Sequence, residues 1–91
     1  MNYKNTIKKI DINYNVNYNK YHIKIKYAPQ IPDIENLKFN VKIVGSSKSI
    51  LSLGKQETKF ILEKIKYKNK IIYVTVERNG EIIKSNEIKL K

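Results

Sequence analysis

Ninety-one residues carrying a net charge of +11 amount to one domain's worth of chain. The lack of cysteine excludes disulfides and thiolate metal sites, and no apolar run approaches the ~18 residues of a membrane-spanning helix. The opening MNYKNTIKKIDI holds charges but no apolar stretch long enough for a secretory leader. A complete gene product of this length is therefore expected in the cytoplasm, and an excised domain outside the cell.

The first strong pattern is NYNVNYNKYHIKIKY, Asn13 to Tyr27, which alternates without a break. Ile12, Tyr14, Val16 and Tyr18 share one phase, and so do Tyr21, Ile23, Ile25 and Tyr27. A two-residue turn at Asn19-Lys20, with Asn supplying a positive φ, opposes Tyr18 to Tyr21, Val16 to Ile23, Tyr14 to Ile25 and Ile12 to Tyr27. Asn17/His22, Asn15/Lys24 and Asn13/Lys26 then fall on the solvent face. A slip of one residue would throw both sets out of phase, so the hairpin is expected to lie on a core.

APQIPDIEN, with Pro29 and Pro32, reads as a crossover loop. LKFNVKIV resumes period two through Leu37, Phe39, Val41 and Ile43 and ends at Gly45-Ser46-Ser47. KSILSL is a short strand stopped by Gly54. TKFILEKI directs Phe60 and Leu62 inward, then Ile65 after a shift. KIIYVTVERNGEIIKSNEIKL closes the chain with an Asn79-Gly80 hairpin turn. Its inward residues are Ile72, Val74, Val76 and Ile83, with Ile88 and Leu90 recovered after a bulge near Asn86. No segment longer than a turn has helical period, and no linker is evident. The sum is an all-β, seven-stranded antiparallel β-sandwich.

Several stretches resemble fibronectin type III domains. HIKIKYAP is similar to that family's second strand, LKFNVKIVG to its third and TKFILEKI to its fifth. YVTVERNGEIIKSNEI looks like its closing hairpin and last strand. The resemblance runs from about Lys20 onward and extends to immunoglobulin-like sandwiches generally. Tyr27 stands where the family usually has Trp, and Ile72 where it has a corner Tyr. The resemblance implies a spacer or binding scaffold.

Catalysis has little material. The only histidine, His22, is mid-strand on the solvent face, with no Ser or carboxylate fixed beside it. The three glycines all sit at turns, so no phosphate loop is formed. Asp33, Glu35, Glu57 and Glu81 lie in loops that gather at one pole of a type III-like sandwich. Without a calcium-loop spacing they read as offsets for nearby lysines. The chain is expected to be a non-enzyme with no cofactor and no metal.

The charge invites a nucleic-acid reading, because clustered cations release phosphate counterions on binding. Yet Lys, Ile, Asn and Tyr make up 52 of the 91 residues, and all four have A/T-rich codons. A low-GC genome accounts for much of the lysine. There is one arginine, Arg78, whereas bidentate phosphate and guanine recognition favours Arg. Lys24, Lys26 and Lys59 form a candidate basic stripe on one sheet, but with the tyrosines in the core phase it lacks stacking platforms. The other sheet's outward phase carries Val44, Ile71, Tyr73 and Ile82 bordered by Lys42 and Lys84, the composition of a contact patch. The leading expectation is a structural or protein-interaction module, through a protein partner or self-association, with no membrane. Its rival is a small basic protein of a low-GC microbe or its virus that binds nucleic acid weakly and non-specifically, or inhibits a nucleic-acid enzyme.

Overall fold

Strict alternation along the chain becomes two antiparallel sheets in the computed structural model, which describes residues 9–28, 38–54, 57–78 and 81–91. One sheet contains β1 (Lys9–Asn17), β2 (Lys20–Ala28) and β5 (Lys59–Glu63), in the order β1-β2-β5. The other contains β3 (Phe39–Ile43), β4 (Ser49–Leu53), β6 (Ile71–Arg78) and β7 (Glu81–Lys84), in the order β4-β3-β6-β7, and β8 (Ile88–Lys89) also pairs with β6. A single helical turn, α1 (Lys64–Tyr67), joins β5 to β6. The all-β expectation holds, but eight strands are formed among the described residues rather than seven.

The eighth strand comes from the bulge. β7 pairs Thr75 with Lys84, whereas β8 pairs Ile72 with Ile88, a register offset by one residue. Ser85 fills the gap: its amide donates to the Val74 carbonyl at 2.8 Å, and its hydroxyl accepts from the Val74 amide at 2.8 Å. The backbone groups freed by the bulge are thus satisfied, and Leu90 returns to the core fully buried.

The inward phases pack as their periodicity requires. Ile10 and Ile12 of β1, Tyr21, Ile23 and Ile25 of β2, and Phe60 and Leu62 of β5 are buried in one cluster with Phe39, Val41, Ile72, Val74 and Val76. Tyr27 lies against Phe39, with ring centroids 5.7 Å apart. Ile43, Ile83 and Ile88 pack at the margin.

The first hairpin keeps the expected faces but not the expected register. Val16, not Tyr18, faces Tyr21; Tyr14 faces Ile23, Ile12 faces Ile25 and Ile10 faces Tyr27. The turn is Tyr18-Asn19, both with positive φ (52° and 61°), so Asn takes the second turn position and Lys20 re-enters the ladder. This shift of two residues lets Ile10 pair with Tyr27 and Lys9 with Ala28, ending the ladder just before Pro29, which has no amide to donate. Burying Ile10 is the gain. The cost is a Tyr in a backbone region that favours Gly and Asn.

Three residues expected inside are outside, Val16 among them at 44% exposed near the end of β1. Tyr18 is 89% exposed at the turn, and Ile65 is 92% exposed on α1, because the chain after Glu63 turns into a helix instead of continuing the strand phase. Pro29, Pro32, Leu37, Asp33, Glu35 and the Asn79-Gly80 turn lie outside the described residues.

Candidate functional site

Two sheet faces turn outward, and the sequence named a set of residues on each. On the five-stranded sheet, Tyr73 occupies the outward phase of β6, between buried Ile72 and Val74. Lys42 is its register partner on β3, and the Lys84 ammonium stands over its ring, 4.5 Å from the centroid. Lys84 is also held by Glu87 at 2.8 Å, and that hydrogen bond raises the Lys84 pKa above its ordinary value. Val44 lies beside Ile71, its amide donating to the Ile71 carbonyl at 2.9 Å. Val44, Ile71 and Tyr73 are therefore one group, framed by Lys42 and Lys84.

Ile82 does not join them. It pairs with Glu77, while Lys84 pairs with Thr75, so this polar row separates Ile82 from Tyr73. Ile82 is 70% exposed, whereas Thr75 is buried even though it faces outward. Asn40 is Thr75's neighbour on β3 and accepts a hydrogen bond from the Ser52 hydroxyl at 2.8 Å. The expected six-residue patch is thus an apolar cluster plus a separate isoleucine.

On the three-stranded sheet, Lys24 and Lys59 are direct cross-strand partners, with Lys26 two residues further along β2. Lys24, Lys26 and Lys59 thus share one outward face. His22 sits on this face between Asn15 and Ile61, not opposite Asn17 as the expected register had it. Asn15, Asn17, His22, Lys24, Lys59 and Ile61 border a shallow open depression of about 540 Å³. No carboxylate or hydroxyl is hydrogen-bonded to His22 among the described residues, and no group of three potential metal-ligating His, Asp or Glu side chains occurs among them.

The stripe runs into a feature that the sequence reading missed. At the hairpin end, the Lys64 amide donates to the Asn19 carbonyl at 2.9 Å, clipping α1 to the turn. Tyr18 and Ile65, the two most exposed large apolar side chains among the described residues, come together there. They border a second open depression of about 700 Å³, with Lys20, Glu63, Lys64 and Lys68 around it. Two signals for this end are present in the chain. Ile65 is out of phase with Leu62, and Tyr18 precedes the Asn best suited to a positive φ. Comparison with protein-family models, curated proteins and solved structures gave no match.

Proposed function

We propose that the chain is a non-catalytic β-sandwich of the fibronectin type III or immunoglobulin-like kind that acts as a protein-contact module. The partition of strands supports this. The first, second and fifth lie in one sheet and the third, sixth and seventh in the other, as in immunoglobulin-like sandwiches, with the fourth moved to the edge of the third. The observation that carries the contact role is the Val44, Ile71 and Tyr73 group at one end of the β3–β6 pair in the five-stranded sheet. Aliphatic and aromatic side chains beside one another on an outward face, rimmed by lysine, have the makeup of an interface centre with a polar border. The lysine rim and the overall +11 charge disfavour a second copy as partner and favour a protein with an acidic border.

A photo-crosslinking residue in place of Ile71, expressed in the chain's own cells, tests this reading. A discrete protein adduct is expected from position 71 and none from exposed Ser47. Equal labelling from both positions, or none from either, contradicts it.

A further inference from the structure

The three-stranded sheet carries two local features that cost stability, one on its outer face and one at its hairpin turn. Lys24 and Lys59 are directly opposed across β2 and β5, and like charges in that relation repel. Neither is in an ion pair with any described residue; nor are Lys20, Lys26, Lys64 or Lys68. The second feature is Tyr18, a bulky residue at φ 52° where Gly or Asn is the low-energy choice. Its ring gains little from burial in return, being 89% exposed. Unfavourable backbone and charge arrangements kept together on one surface point to use by a ligand.

The two features belong to one continuous track. Along β2 the outward residues are Lys20, His22, Lys24 and Lys26, successive members standing about 7 Å apart. Lys59 widens the track on β5, and Lys64 and Lys68 flank it beside Tyr18. Asn13, Asn15 and Asn17 line its other side on β1, offering amide donors and acceptors without charge. The acids on this surface are Asp11, opposite Lys26 and engaged by Lys9 at 3.6 Å, Glu63, opposite Lys20, and exposed Glu57, two residues before Lys59.

We propose that this face binds single-stranded nucleic acid, with the lysine track following the phosphates and Tyr18 stacking on an unpaired base. A polyanion relieves the Lys24–Lys59 repulsion, and an exposed aromatic at the end of a cationic groove is the arrangement single-strand binders use. A duplex fits less well. The only helix among the described residues is four residues long, too short to lie in a major groove, and a stacking ring needs an unstacked base. The lone arginine accords with sequence-indifferent binding.

Fluorescence anisotropy with a labelled oligothymidylate of roughly 15 nucleotides, from about 50 to 200 mM salt, reads the proposal out. Tyr18→Asn is expected to weaken binding by about tenfold or more without lowering the unfolding midpoint, and Tyr18→Trp to retain it. Lys59→Glu removes a repulsion, so it is expected to raise the unfolding midpoint while weakening binding and flattening the salt dependence. Lys48→Glu makes the same charge change at an exposed position next to β4 of the other sheet and is expected to alter affinity less than about threefold. No binding at the lower salt, unchanged affinity in Tyr18→Asn, or a Lys48→Glu effect as large as that of Lys59→Glu overturns the proposal. So does equal affinity for polyglutamate or for phosphatidylserine vesicles, since either would make this a general anion surface.

Discussion

The side-chain amide of Asn86 closes a two-way hydrogen-bonded bridge with the backbone of Ile12. Its Oδ1 accepts from the Ile12 amide at 2.8 Å and its Nδ2 donates to the Ile12 carbonyl at 3.1 Å. β1 is an edge strand, and this amide takes the place of a neighbouring strand at its centre while tying one sheet to the other. The Tyr14 hydroxyl makes a second tie, donating to the Lys89 carbonyl at 3.0 Å.

Asn86→Ala leaves the part-buried amide and carbonyl of Ile12 without their partner. The expected loss is about 1–3 kcal/mol, measured by urea unfolding. A bared edge also promotes strand pairing between chains, so light scattering at high concentration should rise. A variant as stable and as soluble as the parent would show that the bridge contributes nothing.

Ile25 and Ile65 form a contrasting pair. Ile25 is buried at the centre of β2, and Ile25→Ala should cost about 2–5 kcal/mol. Ile65→Ala, on the exposed helical turn, should stay within about 0.5 kcal/mol of the parent. Comparable losses in the two variants would contradict the phase of this sheet.

Tyr21 is fully buried, and its hydroxyl has no hydrogen-bond partner among the described residues. Burial, with a smaller contribution from Tyr14, raises its phenol pKa above 10.0. Below pH 10 both folded and unfolded chains keep the proton; above it the unfolded chain loses the proton first, and stability falls as pH rises toward the folded value. Tyr21→Phe should therefore raise stability by about 1 kcal/mol at neutral pH and show a shallower alkaline decline. A variant less stable than the parent by more than about 1 kcal/mol would mean that the hydroxyl is satisfied.

What the sequence made legible was phase. Alternation placed Ile12, Ile23, Ile25, Phe39, Val41, Ile72, Val74 and Val76 inside, and set Lys24 beside Lys26 and Lys59 on one face. Register was less legible, because a shift of two residues preserves every face. Tyr18/Tyr21 and Val16/Tyr21 satisfy alternation equally, and only the burial of Ile10 and the position of Pro29 separate them. Polar residues near the turns said little about which end of the hairpin overhangs the core. That is why Tyr18 and Ile65 were placed inside and the hairpin end of the basic face went unseen. Ile82 was placed on the correct face but too near Tyr73, since its distance depends on where the last hairpin turns.

The claim that Tyr73 belongs to a contact surface and not to the core is tested most directly by Tyr73→Glu. The ring lies on the outward side of β6 under Lys84, and a carboxylate there has Lys42 and Lys84 as neighbours. The variant is expected to keep the parent's far-ultraviolet circular dichroism and unfold within about 1 kcal/mol of it, while losing the protein adduct formed through position 71. An unfolded variant would place Tyr73 in the core, and a folded variant that keeps the adduct would remove this face from the contact.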